Sequence, residues 1–190
     1  FPRDVHFDGR GIGLSGRLRS PGQWSDALAT LGRHLADRGI GRIRGELFDI
    51  REHRDGAVLG TLDRGMVPVF GVIGQGVHLN GLVRRADGLH VWVGVRSRTK
   101  AVAPGQLDNI VGGGIPAGLT PEQTLLKEAE EEAAIPAALA AEARPVGRVS
   151  YILTNAEGLR RDVLHCFDLD LPESFTPRPN DDEVERFELW

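Results

Sequence analysis

Gly113-x5-Leu119-x7-Lys127-Glu128-Ala129-x-Glu131-Glu132-x-Ala134-Ile135 is the stretch on which the reading of this chain turns. Side chains three and four apart share a helix face, so here Glu128, Glu131 and Glu132 point the same way while Glu130 points elsewhere. Like charges at that spacing repel by roughly 0.2–0.5 kcal/mol per pair. A divalent cation removes the repulsion. Carboxylates with no His or Cys between them are hard oxygen donors that suit Mg²⁺ or Mn²⁺. The plain alternative is a solvated acidic helix face, and the flanking residues weigh against it.

Those flanks read as a glycine loop feeding a capped helix. Gly112-Gly113-Gly114 leaves the backbone free to take positive φ and lets other groups approach closely. In Thr120-Pro121-Glu122-Gln123, Thr120 is the expected N-cap, Pro121 the first helical residue and Gln123 the capping-box partner. Leu125, Leu126, Ala129 and Ala133 form the expected buried stripe, and Pro136 stops the helix soon after Ile135. The helix has about four turns, with the carboxylates in the later ones.

A chain of 190 residues makes one large domain, or one domain with an extension, and 41% hydrophobic content suffices for a core. A net charge of −4 gives no reason to expect nonspecific nucleic-acid binding. Cys166 stands alone, so no internal disulfide forms, which suits a reducing cytoplasm. No run of about eighteen apolar residues is present to span a membrane. No secretory signal is visible, and the start at Phe1 rather than Met reads as a beginning that is trimmed or not shown.

Residues 1–66 differ from the rest and read as a small α+β extension. Ser20-Pro21-Gly22 opens a helix with Trp24, Leu28, Leu31 and Leu35 at helical spacing, ended by Gly39 and Gly41. A strand is expected over Arg42 to Ile50, and a loop over Arg51 to Gly65. From Val67 to Trp190 the pattern is strands and turns around the carboxylate helix. Strands are expected at Val67 to Ile73, Val77 to Arg84, Leu89 to Arg98, Val146 to Leu153, Leu159 to Leu171 and Val184 to Leu189. Leu107 to Val111 leads into the glycines. Hairpin turns fall at Ala86-Asp87-Gly88 and Asn155 to Gly158, and Pro172 to Asp182 is an acidic, proline-rich loop. The order predicts an α/β fold with a mixed sheet packed against helices.

The carboxylate segment resembles a Nudix box, G-x5-E-x7-R-E-U-x-E-E-x-G-U, with U a bulky aliphatic residue. Gly113, Glu128, Glu131, Glu132 and Ile135 match; Leu119, Lys127, Ala129 and Ala134 depart. In the family the first Glu and the Arg pair to orient the helix, so their joint replacement is coherent. The resemblance implies the Nudix α/β/α sandwich, with Mg²⁺ or Mn²⁺ held by Glu128, Glu131 and Glu132. That fold ordinarily closes with a helix after the last strand. Either the polypeptide is longer or another element covers that sheet face.

Further segments resemble one branch of the family. They are Gly76-Val77-His78-Leu79-Asn80-Gly81, Val91-Trp92-Val93, Arg96-Ser97 with Lys100, and Gln106-Leu107-Asp108-Asn109 running into Gly112 to Gly118. Gly158 to Asp162 and Asp168 to Pro172 fit as well. The branch is that of thiamine-pyrophosphokinase-related Nudix hydrolases, which carry an extra N-terminal domain. It implies a small-molecule diphosphate substrate: thiamine diphosphate, or damaged forms such as oxo- and oxythiamine diphosphate, cleaved to the monophosphate. No kinase phosphate loop accompanies it.

Other candidates surround that core. In Asn180-Asp181-Asp182-Glu183-Val184-Glu185, Glu183 is the expected acid that completes the catalytic site, with Glu185 the fallback. Arg96 and Lys100 are candidates for phosphate oxygens, against plain surface charge. Asp108 and Asn109 contact substrate or fix the glycine loop. Lys127 orients carboxylates rather than touching substrate. His78 is worth watching, although a satisfied core histidine is the simpler reading, and Cys166 reads as core. Residues 1–66, with no acid or His cluster, are expected to shape the substrate pocket. Rival readings are hydrolysis of nucleoside-diphosphate compounds such as ADP-ribose, a non-catalytic Nudix sensor, and an isopentenyl-type Nudix isomerase. The isomerase needs a reactive Cys ahead of the box and metal-binding His near the start, and neither has a clear counterpart.

Overall fold

The computed structural model describes residues 5–7, 12–99 and 103–190. Composition shifts near residue 66, whereas compactness divides the chain after Gln75. Phe1–Gln75 groups with Pro116–Gly118 and Ser150–Val163, and the remainder makes the second unit.

In the first unit, β1 (Val5–Phe7) and β2 (Ile12–Leu14) form an antiparallel pair. Helix α1 (Pro21–Ala36) starts where expected, with the Ser20 hydroxyl accepting the Gln23 N–H at 3.3 Å. Leu28 and Leu31 are buried, while Trp24 and Leu35 are half-buried. Strands β3 (Leu47–Arg51) and β4 (Val58–Asp63) pair antiparallel. So the expected loop over Arg51 to Gly65 contains a strand. Gly60 in β4 makes room for the helix: an added Cβ would lie 3.2 Å from Pro21 O and Ser25 Oγ on α1.

A second correction falls on Val67 to Ile73. Valines there favour a strand, yet Val67–Phe70 is one turn of helix, α2, with Pro68 in its first turn and Gly71 ending it at φ 60°. The proline needs no hydrogen-bonded N–H in that position. Buried Asp63 locks the preceding loop by accepting the N–H groups of Arg44, Gly45 and Gly65 at 2.9, 2.8 and 2.8 Å. Leu28, Phe48, Ile50, Leu62, Met66 and Val67 form this unit's core. The later segments belong to it: Leu47 O accepts from Ala117 N at 2.7 Å, and Arg44 pairs with Glu157 at 3.1 Å.

The large sheet has the strand order β11-β6-β5-β10-β9, with β7 paired to β6 and β8 to β5. Its strands are β5 (Ile73–Arg85), β6 (Gly88–Arg96), β7 (Leu107–Asn109), β8 (Val111–Gly114), β9 (Arg144–Asn155), β10 (Gly158–Asp170) and β11 (Val184–Leu189). Helices α3 (Pro121–Ala133) and α4 (Ala137–Ala140) lie between β8 and β9 in sequence. The β5–β6 hairpin is paired near its turn, Gly81 opposite Trp92, and then splays. β7 and β8 fill the fork: Val93 pairs with Asn109, and Val77 with Gly113. Along β5 and β10 the partners ascend together. Asn80 Nδ2 donates to Asp168 Oδ1 at 2.8 Å, and Leu171 N–H donates to Leu82 O at 2.7 Å. Those strands are parallel and the other registered pairs antiparallel, which makes the sheet mixed, as expected.

Val77, Leu79, Ile110, Leu125, Phe167 and Leu169 lie at the centre of the second unit's core. Among the described residues no helix is long and apolar enough to cross a membrane. Helix α3 ends on Ala134 in the left-handed region, φ 53°, where the N–H reaches Glu130 O at 3.2 Å. Glycine is the residue suited to that conformation. Ala134→Gly is therefore expected to raise stability by about 1 kcal/mol, a rise of about 2–4 °C in Tm, read by thermal melting.

Candidate active site

The fork between β5 and β6 and the last turns of α3 build the site, all within the second unit. Local sequence sets the helix: Gln123 N–H donates to Thr120 Oγ1 at 3.2 Å, and Thr120 N–H to Gln123 Oε1 at 2.9 Å. The capping box fixes where the helix starts and so where each acid falls. Thr124, Leu125, Ala129, Glu132 and Ala133 are buried, and Leu126 packs half-buried on the core.

Glu132 is 6% exposed and accepts the Gly112 N–H at 2.8 Å. Burial, its main perturbation, pushes its carboxyl pKa up to about 8; the Gly112 N–H opposes this, and the charges of Glu128, Glu183 and Asp181 add to it. Glu128 is raised in the same direction, first by burial, with Lys127 opposing and Glu131 and Glu183 adding.

Gly113 is where the helix meets the sheet. A Cβ there would lie 2.6 Å from Glu128 Cδ and 2.7 Å from its Cγ and Oε2. Gly112, Gly113 and Gly114 are not among the positive-φ glycines, so this stretch uses the missing side chain for space, not for φ. Gly113→Ala should fold, because the flexible end of Glu128 can swing aside, but it displaces that carboxylate. Metal affinity is expected to fall by about tenfold or more, measured as Mn²⁺ binding, with little change in Tm.

The three motif acids do not share one environment. Glu132 turns inward, whereas Glu131 is half-exposed and pairs with Lys127. Lys127 Nζ lies 2.5 Å from Glu131 Oε2 and 3.2 Å from Glu128 Oε1. One helix face at i, i+3 and i+4 still spans a wide arc, and the sheet covers only part of it.

A pocket gathers Glu132, Gly112, Arg96, Asp108, Asn109 and Glu183. Glu183 reaches it because its loop is tied down: Asn180 Nδ2 donates to Glu130 O at 3.1 Å, and Arg178 N–H to Ala133 O at 3.2 Å. Ser97 N–H donates to Glu183 O at 2.9 Å. Glu185 points to other partners, Arg98 at 3.6 Å and Arg186 at 3.1 Å. Arg96 and Asp108, expected as separate substrate contacts, form an ion pair at 2.6 Å. Lys100 lies outside the described residues.

A polar network beneath the pocket was only half visible in sequence. Asn109 Nδ2 donates to Asn80 Oδ1 at 2.6 Å, and Asn80 in turn donates to Asp168. His78 bonds to Asn109, and its pKa is lowered, first by burial and with Asp108 and Asn109 opposing. Polar residues at period two in an otherwise apolar strand, His78 and Asn80, were the signal for it. Cys166 Sγ contacts Leu164 O at 3.7 Å.

Among the described residues, no three His, Cys, Asp or Glu side chains are drawn together tightly enough to hold a metal ion as they stand. The chemistry of the donors nonetheless fits one. Glu128, Glu132 and Glu183 are mutually repelling carboxylates, the first two buried enough to have raised pKa values. Hard oxygens at such a site match Mg²⁺ or Mn²⁺.

The chain is similar to known proteins over most of its length. In Arabidopsis thaliana, Nudix hydrolase 20, chloroplastic, is 42% identical over 179 residues, 94% of this chain and 48% of its own length. Nudix hydrolase 24, chloroplastic, of the same plant is 38% identical over 179 residues, 94% of this chain and 49% of its own length. The chain thus spans about half the length of these curated relatives. The crystal structure of the Deinococcus radiodurans protein DR0079 superimposes with a TM-score of 0.56 at 25% identity, covering 76% of this chain and 82% of that one. The family model described as the NUDIX domain matches residues 76–190, more than half of the sequence and the whole of the site. By that match, the chain belongs to the Nudix family.

Proposed function

We propose that this chain is a divalent-metal-dependent hydrolase of a phosphoric anhydride, acting on thiamine diphosphate or its oxidised analogues. The supporting observation is buried Glu132, held by the Gly112 N–H beside Glu128 and Glu183. Glu128, Glu131 and Glu132 would hold Mg²⁺ or Mn²⁺, with Glu183 completing the site. Bound there, the metal supplies charge neutralisation of the diphosphate and a polarised water. Glu128 or Glu183 takes the proton of the attacking water. Arg96, kept in place by Asp108, binds phosphate oxygens, and Asn109 orients the substrate through the Asn80–Asp168 network. Water attacks one phosphorus, the bridging P–O bond breaks, and monophosphate and inorganic phosphate leave. The lone thiol of Cys166 suits a reducing compartment such as the cytoplasm.

The substrate rests on the branch resemblance of Gly76 to Gly81, Gln106 to Gly118 and Gly158 to Asp162. Residues 1–66 supply substrate affinity in this reading, not chemistry. A screen with Mg²⁺ tests it: oxo- or oxythiamine diphosphate is expected to turn over faster than intact thiamine diphosphate. A pocket that hydrogen-bonds an added oxygen penalises the compound lacking it. Equal rates on damaged and intact cofactor would remove the selectivity. ADP-ribose as the much better substrate would replace the thiamine reading.

A further inference from the structure

Lys127 stands where a cation belongs. Its ammonium contacts Glu131 Oε2 at 2.5 Å and Glu128 Oε1 at 3.2 Å, bridging two of the three motif carboxylates. Leu119 offers it no acidic partner. Glu132, the third acid, is bonded to the Gly112 N–H and lies apart from the ammonium's contacts. The site is therefore part-neutralised by the protein itself on the Glu128–Glu131 side.

We propose that Lys127 is a tethered cation that occupies the acidic site until metal arrives, and that metal loading exchanges its ammonium for the ion at Glu128 and Glu131. This rests on the metal-dependent reading above. The exchange moves no covalent bond. Lys127 and an ion held by Glu128 and Glu132 compete for the Glu128 carboxylate, so each weakens the other's hold on it. The consequence is a metal affinity held below what the carboxylates alone provide, so that loading responds to the concentration of free metal.

Plain charge repulsion between Lys127 and a metal would also weaken binding, and a double-substitution cycle separates the two. Mn²⁺ binding, read by electron paramagnetic resonance without substrate, is measured for wild type, Lys127→Gln, Glu131→Gln and the double variant. Lys127→Gln is expected to tighten binding by about tenfold. Glu131→Gln alone should change it by less than about twofold, yet remove most of the gain in the Lys127→Gln background. A second readout uses the fact that Lys100 and Lys127 are the only lysines. With ¹⁵N-lysine labelling and diamagnetic Mg²⁺, the Lys127 Nζ signal, identified by its loss in Lys127→Gln, should shift along the metal-binding curve. An unchanged Kd in Lys127→Gln, or strictly additive effects, would overturn the exchange and leave the metal site standing. No Mn²⁺ binding by either wild type or Lys127→Gln would overturn the metal reading and the exchange together.

Discussion

Glu132→Gln is expected to lower diphosphate hydrolysis by about a hundredfold or more while the protein stays folded. Glutamine is nearly the same shape, and its Oε1 can still accept the Gly112 N–H that Glu132 holds at 2.8 Å. The substitution removes only the charge. Of the motif acids, this one is fixed by the backbone of the glycine loop and is almost wholly buried. A metal ligand is most useful where its geometry is preset and water is excluded. Glu131→Gln should cost less, since Glu131 is half-exposed and engaged with Lys127. Turnover and Mn²⁺ affinity are measured side by side, with a thermal melt to confirm folding. Wild-type turnover in Glu132→Gln, or wild-type turnover in excess chelator, would sink the assignment of the site.

The metal-free protein should lose stability as pH rises from about 4.5 to about 8. Glu132 carries a carboxyl pushed up to about 8 from an ordinary 4.5. The folded state holds that proton across the interval where the unfolded chain has released it, so stability falls as pH rises. The contribution is fully present below the unfolded value and gone once pH passes the folded one. Each pKa unit is worth about 1.4 kcal/mol, so a loss of a few kcal/mol and several degrees of Tm is expected. Glu128 is shifted in the same direction and adds to the slope. The groups facing Glu132 are Glu128 on its own helix, Glu183 and Asp181 on the loop before β11, and the Gly112 N–H. Melts in chelator across this range check the slope. Glu132→Gln should flatten it, and millimolar Mg²⁺ should reverse it by replacing the proton. A Tm that rises steadily from pH 5 to 8 in chelator would contradict the burial of that carboxyl.

What the sequence determined by itself was whatever depends on neighbours along the chain. Thr120, Pro121 and Gln123 cap α3 through contacts three residues apart, so its start was legible. Strand β11 ran from Val184 to Leu189 as its pattern indicated. The motif spacing placed the acids on one helix, and the chain's family followed from them. Tertiary structure decided the rest. The strand β4 was hidden in the expected loop over Arg51 to Gly65, because the reason for Gly60, the α1 backbone 3.2 Å from a would-be Cβ, lies far away in sequence. Val67–Phe70 read as strand because its valines outvoted Pro68, while Gly71 and the Asp63-capped turn before it close a helix there. Helical spacing could not distinguish Glu131 from Glu132. That difference arises where the sheet covers part of the helix arc and the Gly112 amide, twenty residues upstream, meets one carboxylate and not the other. The Arg96–Asp108 pair and the Asn109–Asn80–Asp168 relay likewise exist only because β7 and β8 fill the fork between β5 and β6. Local chemistry sets which residues can do chemistry, and long-range pairing sets which of them are desolvated enough to do it.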